Sequence, residues 1–152
     1  MRRGVRIGID VGSVRVGVAR SDPEGVLAVP VATLARGDTD IAGIQELVVE
    51  YEALEVLVGL PIGMDGREGK AAMTARAYAD VLATAINPTP VRLVDERLTT
   101  VTAARALRDS GRTARESRSV VDQAAAVVIV EHALDSERSS GAAPGQRLVV
   151  SE

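Results

Sequence analysis

Cysteine, phenylalanine and tryptophan are absent from this chain of 152 residues, tyrosine occurs only twice, and histidine and lysine occur once each. Without cysteine there can be no disulfide, no thiolate nucleophile and no thiolate ligand for zinc. With so little aromatic surface the interior must be built from Val, Ile, Leu and Ala, which suits sheets covered by helices. Long apolar runs are missing too. No stretch is long enough to span a bilayer, and the opening MRRGVRIGID ends at an acid where a signal peptide would continue. These absences predict a cytoplasmic protein with no membrane partner. The length, with 46% apolar residues, predicts one domain around one core.

The net charge is −3, which weighs against phosphate binding if taken as an average. Its distribution says more. Arg2, Arg3 and Arg6 crowd the start, and Arg105, Arg108, Arg112, Arg115 and Arg118 recur every three or four residues. That spacing fits either an ordinary solvated helix face or a stripe that touches phosphates.

Residues 5–10 (VRIGID) and 15–20 (RVGVAR) read as a β-hairpin around VGSV, and SDPEG turns the chain into a third strand within 25–34. Pro30 places that strand at an edge. Asp38 or Thr39 can cap a helix over 41–54, followed by a buried strand at 56–60. PIGMDGREG (61–69) reads as a loop, 69–86 as a helix stopped by Asn87-Pro88, and VRLVDE (91–96) as a further strand. Thr99 or Thr100 opens a third helix that ends at Gly111, and RTARESRS (112–119) reads as a polar, mobile link. Residues 120–134 form a helix apolar nearly all round, predicted to be buried. The expected fold is α/β: a mixed five-stranded sheet in the order β-β-β-α-β-α-β-α-α with helices on both faces. The domain would span 1–135, with 136–152 a disordered tail.

Acids at the ends of core strands carry the chemistry. Sites in open α/β sheets form just outside the carboxyl ends of strands. Asp10 closes the first strand, and Asp95 and Glu96 close VRLV. Alternation sends Asp95 and Glu96 to opposite faces, so only one of them can join Asp10. Asp122 is a third candidate. Each acid also has a plainer reading. Asp10 can cap the hairpin turn, Asp95 or Glu96 can cap the next helix or pair with Arg97, and Asp122 has capping-box spacing from Ser119. The lone His132 lies ten residues beyond Asp122, about 15 Å along a helix, too far to share its centre. Carboxylates alone make an oxygen-ligand set that suits Mg²⁺ or Mn²⁺. Two such ions about 4 Å apart can drive phosphodiester cleavage.

Four segments, GIDVGSVRVGVARSD (8–22), VGLPIGMDGREG (58–69), VDERLTT (94–100) and VDQAAAVVIVEHAL (121–134), resemble the YqgF/RuvX family. This family is described as pre-16S rRNA nucleases or Holliday-junction-resolvase-like proteins. The match is collinear and covers nearly all the chain except the tail. It implies an RNase H-like fold, with Asp10, Glu96 and Asp122 as the catalytic, metal-binding acids. It also implies endonucleolytic cleavage that matures the 5′ end of 16S rRNA or cuts branched DNA. Two positions depart from the pattern. Gly63 stands where the family usually has Asn, and the usually lysine-rich stretch before the last acid is RTARESRS.

On this reading Arg97 and the stripe Arg105, Arg108, Arg112, Arg115 and Arg118 hold the substrate backbone. Gly63, Asp65 and Gly66 in the glycine-rich loop would cover the bound strand, and a homodimer is left open. Two other classes stay in view: a non-catalytic RNA-binding or ribosome-assembly module, and an actin-like nucleotide-binding domain that shares the D-x-G-[ST] hairpin.

Overall fold

The computed structural model describes residues 1–63, 65–96 and 115–150. Period-2 alternation and the two turns produce an antiparallel meander of β1 (Arg6–Val11), β2 (Arg15–Ser21) and β3 (Ala28–Ala35). The second turn is organised by Asp22, whose carboxylate accepts the amides of Val26 and Leu27, both at 2.8 Å, and of Glu24 at 3.2 Å. These amides, Leu27 foremost, hold the Asp22 carboxyl below the usual range. Two crossovers follow: α1 (Asp40–Glu50) into β4 (Glu55–Leu60), then α2 (Lys70–Ile86) into β5 (Val91–Asp95). α3 (Arg115–Ser140) and a short β6 (Gln146–Arg147) complete the described chain. The sheet order is β3-β2-β1-β4-β5-β6, with β1, β4 and β5 parallel and the others antiparallel to their neighbours. Pro30 does lie on the edge strand, next to a register shift in the pairing of β2 with β3.

Alternation divides the side chains between two layers. Ile7, Ile9, Val16, Val18, Val56 and Val58 point toward α1 and α2 and form the larger core with Ile44, Ala79 and Leu82. Among the described residues the opposite face meets α3. Its stripe Ala125, Ala126, Ile129, Val130, Ala133 and Leu134 packs on Ala19, Leu57 and Val94. The stripe follows the i, i+3, i+4 rule of a one-sided helix. Ala124, Glu131 and Asp135 on the far side are exposed. α3 is thus one-sided, not buried all round, and the half-buried Val127 and Val128 flank its stripe.

Three expectations need correction. The sheet has six strands, not five, since Gln146 and Arg147 pair with Leu93 and Arg92. Residues 115–119, read as a mobile link, begin α3, and this places Asp122 inside the helix instead of at its cap. The segment 136–150 is structured where a disordered tail was expected: α3 runs to Ser140, Pro144 is buried, and Leu148 and Val150 pack on the main core. The helix read between Thr99 or Thr100 and Gly111 lies outside the described residues.

The physical reason for the ordered end of α3 is Glu137, which is 4% exposed. Its carboxylate accepts Arg2 Nη2 at 2.6 Å and Arg6 Nη2 at 3.1 Å, and Arg2 also reaches the buried Glu55, which Arg92 binds at 3.0 Å. A composition-based reading of a polar tail cannot anticipate partners more than a hundred residues away. Burial pushes the Glu137 carboxyl up, but hydrogen bonds from the Arg2 side chain and backbone and the charges of Arg6 and Arg2 outweigh it, so it is held below the ordinary range. A depressed carboxyl contributes stability in full above its unfolded value, and that stability is lost as pH falls through the folded one. We therefore expect Glu137→Gln to cost about 2–3 kcal/mol at pH 7, since it strips charged hydrogen bonds and leaves Arg6 underpaired. The deficit should shrink as pH is lowered below the ordinary carboxylate range. Denaturant midpoints at the two pH values check both statements.

Candidate active site

The site is built across three adjacent strands on the α3 face. Asp10 is fully buried in β1 and pairs in register with Gly17 of β2. On its other side β1 runs parallel to β4, and Gly59 follows the Ile9–Val58 pair. Gly8 on the same face has α3 directly above it: a Cβ there would sit 2.4 Å from Val130 Cγ2. Asp10, two residues on, therefore points to the α3 side.

Glycine on both flanks lets two other acids come down to Asp10. A Cβ on Gly17 would lie 2.1 Å from the carbonyl oxygen of Asp122, so α3 rests its backbone on β2 at the position opposite Asp10. A Cβ on Gly59 would lie 1.5 Å from Glu96 Oε1, so the Glu96 carboxylate occupies the space above β4. Neither glycine has a positive φ, so each is required by close approach alone. Neighbouring strands lie about 4.8 Å apart. Three acids thus line up as Asp122, Asp10 and Glu96 over β2, β1 and β4, at 1%, 0% and 3% exposure. Asp95 pairs in register with Leu60 on the other face and is exposed, so Glu96 is the neighbour on the face of Asp10.

Buried carboxylates need compensation. Arg15, which begins β2, donates Nε to Asp122 Oδ2 at 2.9 Å. Neither Arg15 nor the two flanking glycines is among the residues that sequence reasoning singles out. The available signal was glycine at every second position of three strand segments, IGI, VGV and VGL, which marks close backbone approach.

The donor set is oxygen-only and buried, which suits a hard divalent cation by its chemistry. As the side chains stand, no three His, Cys, Asp or Glu among the described residues close on one point. Glu96 is laid over Gly59 and Asp122 is held by Arg15.

The loop after β4 borders this end of the sheet. Ile62 bridges Glu68, the Gly63 amide donates to Arg67 O at 2.8 Å, and the Gly66 amide donates to Gly63 O at 2.8 Å. Those two amides are used inside the loop, so they do not serve a bound strand; the exposed side chains of Asp65 and Arg67 remain. Arg76 clamps the loop to α2 through Glu68 at 2.5 and 2.7 Å, and this pairing holds the Glu68 carboxyl below its usual range. Arg97, Arg105, Arg108 and Arg112 lie outside the described residues. Arg115 and Arg118 are in the first two turns of α3. No helix among the described residues is long and apolar enough to cross a membrane.

Comparison with known proteins places the chain in a family. A family model described as RuvX, Holliday junction resolvase, matches residues 4–136. A protein of Nocardioides sp. named "Putative pre-16S rRNA nuclease" is 58% identical over 151 residues, covering 96% of this chain and 97% of its own. Proteins of the same name from Thermobifida fusca and Streptomyces avermitilis are 54% and 53% identical, each covering at least 96% of both chains. Among solved structures, Thermus thermophilus RuvC in complex with a Holliday junction substrate superposes with a TM-score of 0.53 at 16% identity, over 95% of this chain and 99% of that one. At that identity the likeness concerns the fold alone.

Proposed function

The chain belongs to the RuvX family of Holliday junction resolvases, and on that premise we propose that it is a divalent-metal-dependent endonuclease whose substrate is the pre-16S rRNA leader. The observation that carries the reading is the row of buried acids Asp122, Asp10 and Glu96 over a glycine floor. Family membership sets aside the actin-like nucleotide binder. Four-way DNA junctions are the second substrate class, favoured by the family's description, and a homodimer would accompany that class because two strands must be cut.

Asp10, Glu96 and Asp122 would hold Mg²⁺ or Mn²⁺, which supplies a water nucleophile at neutral pH and neutralises charge at the scissile phosphate. The protein does the rest by placement. Asp10, in the middle strand, is shared by both flanks. Gly17 and Gly59 keep the outer acids low on the sheet, and Arg15 orients Asp122 through its 2.9 Å hydrogen bond. Arg97, Arg105, Arg108, Arg112, Arg115 and Arg118 are, by their charge, the candidates for the flanking backbone, with Asp65 in the loop that borders this end of the sheet. Gly63 and Gly66 shape the loop.

The test is cleavage of a labelled pre-16S leader and a labelled four-way junction, each with Mg²⁺, Mn²⁺ or EDTA. Metal-dependent cutting of the leader supports the proposal, and cutting of the junction alone moves the substrate to DNA. Metal binding with no cutting of either favours a non-catalytic assembly module. Arg15 supplies a readout independent of turnover. Arg15→Gln should lower stability by about 1–3 kcal/mol without metal, because the buried Asp122 loses the charged hydrogen bond from Arg15. Mg²⁺ should raise the melting temperature of this variant more than that of the unaltered chain, since the ion replaces the lost counter-charge. An equal Mg²⁺ shift in both would remove Asp122 from the metal site.

A further inference from the structure

The turn after Asp10 has a second face. Beneath it, between the turn, the start of α1 and α2, lies an open groove of about 690 Å³, lined among others by Ser13, Arg36, Asp40, Thr74, Ala77 and Tyr78. It is at the same end of the sheet as the acids, on the side away from α3. Arg36 dominates it. Its amide donates to Val14 O at 2.9 Å, its Nη1 donates to Gly12 O at 3.1 Å, and its guanidinium lies over the Tyr78 ring at 5.3 Å. Tyr78 is fixed in turn by donating its hydroxyl to the buried Asp40 at 2.8 Å. Burial and that bond push the Tyr78 hydroxyl well up, so the ring under Arg36 stays neutral. Among the described residues no carboxylate lies within ion-pair distance of Arg36, although nearly every other well-placed arginine has one.

A flat, immobilised guanidinium with one face on an aromatic ring offers its other face to a nucleobase. The chain has almost no aromatic surface, yet the fold assembles a stacking platform from Arg36 and Tyr78. Register ties it to the acids. Arg15 pairs with Ala35, so Arg15 and Arg36 leave neighbouring backbone positions for opposite faces, one to Asp122 and one to the groove. A strand that passes over Ser13 and Val14 would be held on both sides of the turn.

We propose that this groove is a subsite for one unpaired nucleotide of the substrate, its base stacked on Arg36 and its sugar-phosphate met by the hydroxyls of Ser13 and Thr74. The proposal rests on the nuclease reading and deepens it: the substrate must carry a single-stranded segment beside the cut. Its volume suits a ligand of nucleotide size, and its openness to solvent suits a polymer that enters and leaves at both ends.

The experiment is fluorescence anisotropy in EDTA, with the full chain and two probes: a labelled RNA duplex bearing a short single-stranded tail, and the same duplex blunt. The unaltered chain should bind the tailed probe roughly tenfold more tightly, within the range for stacking one base. In Arg36→Met the two affinities should converge. Because that change also removes the Gly12 and Tyr78 contacts, Ala77→Glu provides a second variant, which puts a repelling charge in the groove from an exposed helix position. It should erase the preference at an unchanged melting temperature. A tail preference that survives both variants overturns the proposal. So does a chain that shows no tail preference yet binds the blunt duplex and cuts it with Mg²⁺, which leaves the nuclease reading intact. Failure to bind or cut any nucleic acid sinks both.

Discussion

Asp10→Asn is expected to reduce phosphodiester cleavage by about three orders of magnitude or more while leaving the melting temperature equal to or above that of the unaltered chain. Asp10 is the middle member of the acid row, in register with the glycine under Asp122 and beside the glycine under Glu96. It alone borders both flanks, so its loss opens the shared centre rather than one side. If Asp10 holds the divalent ion with its neighbours, its loss would remove several kcal/mol of charge stabilisation at the phosphate, which sets the size of the effect. The fold should survive, because an amide of the same shape fills the same buried space. Rates with Mg²⁺, beside a thermal melt of the same preparation, are the measurement. Wild-type turnover in the variant would dismantle the acid scheme.

The second large effect separates the two glycines. Gly59→Ala should lower cleavage about a hundredfold, with a stability change below about 1 kcal/mol. The atoms its Cβ meets are Glu96 Oε1 at 1.5 Å and Ile129 Cδ1 at 2.6 Å, both tips of flexible side chains. They can move aside cheaply, but a carboxylate displaced by about 1 Å is enough to cost two orders of magnitude. Gly17→Ala meets backbone instead, with Asp122 O at 2.1 Å and Asp122 Cα at 3.2 Å. Relief there requires lifting α3 from the sheet, so this variant should lose about 1–3 kcal/mol of stability as well as activity. Denaturant titrations run beside initial rates distinguish the two. Full activity in Gly59→Ala would mean that Glu96 is not needed where it lies.

Much of the frame was legible in the chain. Strand alternation with turn residues yielded the meander, Pro30 marked the edge, and the parallel runs at 56–60 and 91–95 yielded the crossovers, because these signals are local and short-ranged. The alternation at the end of VRLVDE also separates Glu96 from Asp95 without help from any distant residue, since faces follow from a period of two.

The site's support was not legible in the same way. Arg15 and Asp122 are 107 residues apart, and Arg2 and Glu137 are 135 apart, so no window of sequence shows either pair. Asp122 and Glu137 illustrate the limit. Both are buried acids on one stripe of α3, about 22 Å apart along the helix, each bound by an arginine from the opening strands. One belongs with Asp10, and the other ties down the end of the helix that sequence alone leaves as a tail. What separates them is which end of β1 lies beneath. The sequence determined the class of fold and singled out the candidate acids, since periodicity and residue chemistry are local. Tertiary structure alone decided which carboxylates meet, which glycines admit them and which arginine stays open, because those depend on the docking of α3 across four strands.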